Sequence, residues 1–315
     1  VCSSDLHAQL DWDDQGRPYS RVFDDVYFSD KSGLDETRYV FIEQNRLAER
    51  FAALPQGGRL VIGETGFGTG LNFLCAWQVF EQHAATDARL HFVSVEKYPL
   101  SPADLQRALA LWPELKPLAD QLLTQYVAIH QGFQRLTLAN GRVTLTLLIG
   151  DALEQLPQLD ARIDAWFLDG FATAKNPDMW TAELFAELAR LAAPGSTIST
   201  FTSTGWVRRL INAAGFKMKR TPGIGHKWEI LRGAFVGDFA VALERAAAFS
   251  RVMGAGCREL AAPDGDNDRA ADERRRADSY DAVAATGAPL AAKIGRAPRM
   301  AQRDLPGRYG AAASP

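Results

Sequence analysis

Residues 60–72 read Leu-Val-Ile-Gly-Glu-Thr-Gly-Phe-Gly-Thr-Gly-Leu-Asn, and this stretch restricts the possible folds of the chain most. The apolar run that ends at Glu64 predicts a strand. Gly66, Gly68 and Gly70, at alternate positions, predict a turn that another molecule can approach closely, because no Cβ intervenes. Leu71, Phe73, Leu74, Trp77, Val79 and Phe80 then follow with helical period. Strand, glycine turn and helix together open the α/β units that bind nucleotides and cofactors.

The spacing narrows the ligand. The dinucleotide fingerprint is G-x-G-x-x-G, whereas this turn is E-x-G-x-G-x-G. No Gly-Lys-Ser/Thr follows, which excludes a P-loop. Glu64 at the strand tip disfavours a pyrophosphate and suits a cation or zwitterion. S-adenosyl-L-methionine, with its sulfonium, ammonium and carboxylate, fits. Two further acidic strand ends support that cofactor. Glu96 closes Leu90–Val95, where a carboxylate can accept both ribose hydroxyls. Asp151 follows the β-rich run from Val143, where it can accept from an adenine amino group. A dinucleotide-dependent oxidoreductase and a methyltransferase for a small-molecule amine remain competing classes on the residues alone.

Apolar residues make up 47% of the 315, enough for a substantial core, and the net charge of −3 does not advertise a nucleic-acid partner. Locally the balance differs. Between Gly205 and Arg232, seven basic residues (Arg208, Arg209, Lys217, Lys219, Arg220, Lys227, Arg232) face only Glu229, and such a patch suits phosphate contacts. Cys2, Cys75 and Cys257 are widely spaced and odd in number, which points to a reducing, cytoplasmic setting without structural zinc. The five histidines show no ligand spacing, so no metal is expected. No apolar run approaches a membrane span and no signal-peptide core stands at the N-terminus, although the chain begins at Val1 rather than Met.

Along the chain, short β-like pieces and a helix over 37–53 form a small β-rich N-terminal extension, residues 1–55. Residues 56–236 then alternate: strand 60–64, helix 71–82, strand 90–95, helices near 102–111 and 114–126, strand 142–149, helix 152–156, strand 163–168, helix 178–192, strand 196–201, helix 204–213, and strands near 215–220 and 227–235. That order predicts an α/β fold of Rossmann-like kind, a mainly parallel sheet with helices on both faces and ligands at the carboxyl ends of the strands. From about residue 237 to 315 the composition turns Ala-, Arg- and Asp-rich and almost without aromatics; it predicts low order and is also what a shifted reading frame would yield.

The most reactive-looking loop is Phe167-Leu-Asp-Gly-Phe-Ala-Thr-Ala-Lys-Asn-Pro-Asp-Met-Trp180. Asp169 leaves a strand end, where a carboxylate can hold the N–H groups of a nucleophilic amine. Phe171 can offer a flat face to a base. Asp178 is placed to cap the following helix.

These motifs, with Arg21–Ser29, Gly33–Phe41, Asp164–Phe171, Lys175–Trp180 and Thr200–Ser203, resemble the methyltransferase half of the bifunctional bacterial enzymes that make 5-methylaminomethyl-2-thiouridine at the tRNA wobble position. The resemblance covers roughly residues 8–236. It implies an S-adenosyl-L-methionine-dependent tRNA methyltransferase acting on the exocyclic amine of 5-aminomethyl-2-thiouridine. Its cofactor set here would be Glu64, Gly66, Phe67, Gly68, Gly70, Asn72, Glu96, Lys97 and Asp151. Asp169 and Phe171 would line the reaction centre. Asp25, Tyr27, Arg38, Tyr39, Lys175, Arg208, Arg209 and Lys227 would contact substrate. The chain departs from the family pattern at Thr173, where proline is usual, and around His226, where more arginine is usual. The flavin fingerprint of the family's oxidase half is missing from the tail, so FAD is not expected in this chain and an oxidase partner would be separate or lost.

Overall fold

The computed structural model describes residues 6–28, 33–224 and 228–237. His226, Lys227 and everything from residue 238 onward lie outside them, together with the expectations placed there. Every described residue belongs to one unit of the chain.

The N-terminal part forms a small antiparallel sheet of β1 (Leu10–Trp12), β2 (Pro18–Ser20) and β3 (Asp25–Val26). After it come α1 (Gly33–Thr37), a π-helical turn (Arg38–Glu43) and α2 (Leu47–Ala52). Then follow β4 (Arg59–Thr65), α3 (Leu71–His83), β5 (Arg89–Glu96), α4 (Pro102–Leu109), α5 (Lys116–Gln125), β6 (Gly132–Leu138), β7 (Val143–Ile149) and α6 (Ala152–Gln155). β8 (Ile163–Leu168), α7 (Ala182–Leu191), β9 (Ala192–Thr200), α8 (Gly205–Ala213), β10 (Phe216–Pro222) and β11 (Glu229–Phe235) complete it.

The large sheet runs β10-β11-β9-β8-β4-β5-β7-β6. β4, β5, β7, β8 and β9 pair in parallel. β11 is antiparallel to both β9 and β10, so β10 shares their direction, and only β6 and β11 oppose it. This is the mainly parallel, Rossmann-like α/β sheet that the alternation predicts. The strand order reverses beside β4, with β5 on one side and β8 on the other. Ligands of open α/β sheets bind at such a switch point, outside the carboxyl ends. Glu64 and Glu96 fall in the last residues of β4 and β5, while Asp151 and Asp169 come just after β7 and β8.

Apolar side chains fill both faces. Phe41, Phe73, Trp77, Phe80, Phe92 and Phe167 form one core beneath α2 and α3; Trp166, Leu184, Phe185, Leu188 and Ile211 form the other beneath α7 and α8. Trp166 lies so close over Gly63 that a Cβ there would sit 2.4 Å from the indole. That contact is why β4 needs glycine one residue before Glu64.

Three expectations change. The single helix over 37–53 is broken, because Arg46 adopts left-handed backbone (φ 53°) and Asn45 donates to Phe41 O (2.9 Å) and Ser199 Oγ (2.7 Å). The helix expected from 178 begins only at Ala182. Thr181 Oγ1 caps it by accepting from Leu184 N (3.2 Å), while Asp178 sits in a preceding 3-10 turn. β6 is an additional antiparallel edge strand.

Candidate active site

The glycine turn is wedged between two neighbours. Gly66 (φ +86°) donates its N–H to Val95 O (2.8 Å), and a Cβ there would meet Asp169 O at 3.3 Å. Gly68 (φ +51°) lies under Tyr27, whose ring would be 3.2 Å from a Cβ. Side chains at these positions would therefore meet both left-handed strain and a steric neighbour.

Behind the turn, Glu64 is buried, 1% exposed. Its Oε1 accepts from Asn72 Nδ2 (2.9 Å) and its Oε2 from Ser94 Oγ (2.6 Å). Burial pushes its carboxyl well above the ordinary carboxylate range; the hydrogen bonds from Ser94 and Asn72 oppose that, and the charges of Asp169 and Glu96 add to it. Asn72 also donates to Asp169 Oδ2 (2.7 Å), so one amide spans a buried carboxyl and a half-buried one. Asp169 is held further by Gly170 N donating to its Oδ1 (2.8 Å), and its carbonyl accepts from Thr65 Oγ1 (3.0 Å).

Glu96, at the end of β5, accepts from Gly68 N (2.9 Å) and Tyr98 N (2.8 Å). These two bonds fix the carboxylate's orientation against the glycine turn. Burial raises its pKa, opposed by those backbone N–H groups. Asp151 caps α6 through Leu153 N (3.0 Å) and pairs with Lys97 Nζ (2.9 Å). Burial works against its ionisation, but the Lys97 and Leu153 bonds outweigh it and hold the carboxyl below its usual range. The Asp151 contact raises Lys97 in turn.

The N-terminal extension forms a wall beside the turn. Phe171 stacks on Phe23 (centroids 4.7 Å, 25°), and Tyr27 meets it edge-on (5.1 Å, 77°). Tyr98 lies 6.0 Å from Phe23. Burial, and next the charge of Glu96, pushes the Tyr27 phenol upward. Asp25 Oδ2 accepts from Ala172 N (3.1 Å). Lys175 donates to the Asp24 carbonyl and pairs with Asp24 (3.6 Å) and Asp25 (3.8 Å).

The expected residues thus divide. Glu64, Gly66, Gly68, Gly70, Asn72, Glu96, Asp151 and Lys97 gather at the carboxyl ends of β4, β5 and β7, with Asp169, Phe171 and Tyr27 beside them. The Phe67 ring turns into the core against Tyr126 and Phe73, leaving its backbone to the turn. Arg38 is engaged with Gln78 on α3 (3.0 Å) and Asp35 (3.9 Å), and Tyr39 Oη donates to Pro222 O (2.8 Å). Arg208 and Arg209 stand on α8, one strand beyond β8, and do not join the cluster. Ser94, Phe23 and Tyr98 were not foreseen. Ser94 is a buried hydroxyl facing the strand that carries Glu64, and only the sheet register (Glu64 opposite Ser94) shows it. Trp228, 78% exposed just before β11, is a further aromatic at this edge. Among the described residues no group of His, Cys, Asp and Glu is placed to hold a metal, and no helix is long and apolar enough to cross a membrane.

The donor set fits the cofactor read from the sequence: a carboxylate at the β5 tip, a glycine turn without side chains, and acidic rather than basic groups at the switch point. Comparisons agree. Residues 113–235 match the family model of S-adenosyl-L-methionine-dependent methyltransferases. The chain is 88% identical over 231 residues to the tRNA 5-methylaminomethyl-2-thiouridine biosynthesis bifunctional protein MnmC of Pseudomonas fluorescens (strain Pf0-1), covering 73% of this chain and 35% of that protein. It is 76% identical over 230 residues to the protein of the same name from Pseudomonas syringae pv. tomato, again 73% of this chain and 35% of the relative. The chain therefore spans about a third of the length of these curated relatives. The crystal structure of MNMC2 from Aquifex aeolicus superposes with a TM-score of 0.58 at 20% identity, over 76% of this chain and 75% of that one, and shares the fold. With its Rossmann-like methyltransferase fold and its S-adenosyl-L-methionine cofactor, the chain corresponds to the methyltransferase half of the bifunctional tRNA 5-methylaminomethyl-2-thiouridine biosynthesis proteins.

Proposed function

We propose that this chain methylates the exocyclic amine of 5-aminomethyl-2-thiouridine at the wobble position of tRNA. The observation that carries the reading is Asp169: a carboxylate at the switch point, fixed by Asn72 and Gly170, directly beside the glycine turn and the Phe23–Tyr27–Phe171 wall. The relatives are named for 5-methylaminomethyl-2-thiouridine, the nucleoside this transfer would yield.

When bound, S-adenosyl-L-methionine supplies an activated methyl group on its sulfonium. Glu96 holds the ribose hydroxyls, and Asp151, with Lys97, borders the adenine. Glu64 and Asn72 form the floor at the methionine end. Asp169 orients the neutral substrate amine, whose attack on the methyl carbon would give a secondary ammonium as the sulfonium leaves as a thioether, and Asp169 then accepts the proton that this ammonium sheds. The aromatic wall excludes water and receives the base. Catalysis here rests on positioning, because the methyl donor needs no further activation. The basic surface of α8 and β10, where Lys217 and Lys219 alternate with buried Phe216 and Met218, takes backbone phosphates. Asp25, Tyr39 and Lys175 frame the substrate side. Within an N-terminal extension of residues 1–55, the segment 21–28 acts as a cover on a methyltransferase domain of 56–236.

Labelled methyl transfer to tRNA from cells lacking the modification, followed by nucleoside analysis, tests the reading. The expected product is 5-methylaminomethyl-2-thiouridine; methylation of free amines but not of tRNA would overturn it.

A further inference from the structure

The second face of the large sheet is covered unevenly. α7 and α8 lie over β8, β9 and their neighbours, whereas the β7–β8 connection carries only the four-residue α6 and a short 3-10 turn. A four-residue helix is about 6 Å long, against about 23 Å for a seven-residue strand. The amino-terminal parts of β4, β5 and β7, with β6 beside them, are therefore left open, and a cavity of about 330 Å³ lies there.

Its lining sets polar and basic groups among the apolar Val61, Val93, Phe133, Leu159 and Ala161. On β5, Leu90 and Phe92 face the closed core at 0% exposure, and His91 points the other way. On β7, Leu145 and Leu147 are buried on the core side, and Thr144 and Thr146 face the cavity. Arg59 and Arg135 stand exposed on its rim. Arg135 Nε donates to Thr146 Oγ1 (3.4 Å). Arg162 also lines it, and Asp160 is the single acidic lining residue. His91 is held below its ordinary pKa by burial and then by Arg59, Arg135 and Arg89, which marks the positive potential there. Val61 and Val93 on this face are apolar, as a helix-covered sheet would have them, but His91, Thr144 and Thr146 beside them are not. Guanidinium forks beside threonine hydroxyls instead suit phosphate oxygens.

We propose that this cleft is a second tRNA contact, binding phosphodiester groups of the backbone away from the reacting nucleotide. The inference rests on the tRNA reading above. Its position agrees with that occupant. Arg135 lies opposite Thr146, three residues from the end of β7, and Arg59 lies six residues from the end of β4. At about 3.3 Å per residue the cleft runs from roughly 10 to 20 Å below the edge that holds the candidate active site. A helical strand carries one phosphate per about 3.4 Å of axis, so this is roughly three to six nucleotides away, within an anticodon arm.

The test is steady-state methylation of unmodified tRNA by the full chain and its Arg59→Gln/Arg135→Gln double variant, from 50 to 200 mM salt. Both side chains are exposed, and thermal unfolding checks that the fold is intact. The KM for tRNA is expected to rise about tenfold at low salt. The slope of log KM against log salt should fall by about 1.4–1.8, for two lost phosphate contacts. Turnover at saturating tRNA and cofactor affinity should stay as in wild type. The Arg59→Glu/Arg135→Glu pair should exceed the neutral pair. A KM and salt slope unchanged in both pairs, with normal methylation by wild type, would overturn this proposal alone; no methylation of tRNA by wild type would overturn the reading beneath it. Saturable binding of inorganic pyrophosphate that tRNA fails to displace would also overturn it, giving the cleft to a small phosphorylated ligand.

Discussion

The strand tips and the cover that leans on them are built by different means. At the tips, Glu64, Asn72 and Asp169 are joined by hydrogen bonds of 2.7–2.9 Å around a carboxyl with 1% exposure, and Glu96 is held by two backbone N–H groups. The cover, residues 21–28 against the loop from 169 to 176, is held by aromatic contacts and by ion pairs of Lys175 with Asp24 and Asp25 at 3.6–3.8 Å, partly in water. Buried, fully satisfied hydrogen bonds fix a position tightly, whereas exposed ion pairs add little and yield to salt. A reaction that depends on alignment needs the first kind around its cofactor. A bulky substrate that must enter and leave needs the second kind at its door.

The largest effect that would sharpen this contrast is expected at Asp169. Asp169→Ala should lower kcat by about 10²–10³-fold, the range of a positioned proton acceptor, and leave cofactor Kd within a few fold. Glu96→Ala should do the reverse. Losing hydrogen bonds to a charged acceptor costs about 1.5–3 kcal/mol, which weakens cofactor binding roughly 10–100-fold, with kcat at saturation little changed. Calorimetric titration and initial rates separate the two, and equal effects on both quantities in both variants would dissolve the division of roles.

The buried carboxyl gives a third, smaller effect with a definite sign. The folded-state pKa of Glu64 lies well above its unfolded value, so the native state holds the proton more tightly. Its contribution to stability is therefore fully present below the unfolded pKa and is lost as pH rises through the interval up to the folded one, by at most about 1.4 kcal/mol per pH unit. Glu64→Gln keeps an acceptor for Asn72 and offers Ser94 a donor, yet it cannot ionise. Thermal unfolding of the variant should fall off less between pH 5 and 8 than that of wild type; parallel profiles would mean that Glu64 is not the group responsible.

Much of the tip region could be read from the sequence because its signals are local. An apolar run, a positive-φ glycine turn and a carboxylate at the strand end are contiguous, and the sheet places Glu64, Glu96, Asp151 and Asp169 together from that information alone. What escaped is set by tertiary partners. β6 was missed because its inward positions begin with Gln134 while Phe133 points outward, which hides the alternation of an edge strand. Arg38 reads as a substrate cation until α3 supplies Gln78, and Phe67 reads as a pocket residue until Tyr126 and Phe73 take its ring. Phe23 has no signal beyond its own aromaticity, and its role depends on a loop nearly 150 positions later.

The smallest expected effect probes the cover itself. Lys175→Ala removes an exposed ammonium and its contacts with the Asp24 carbonyl and the two carboxylates, but leaves the Phe23–Tyr27–Phe171 contacts and the Ala172–Asp25 hydrogen bond in place. Surface substitutions of this kind usually change stability by less than about 0.5 kcal/mol, so Tm should move by no more than about 2 °C. If the ion pairs only steady the cover, the KM for tRNA should change by less than about threefold at low salt. That difference should vanish near 0.5 M salt, where the wild-type pairs are screened as well. A tenfold change that persists at high salt would mean that Lys175 meets the substrate directly, and the cover would then belong with the strand tips as part of the fixed site.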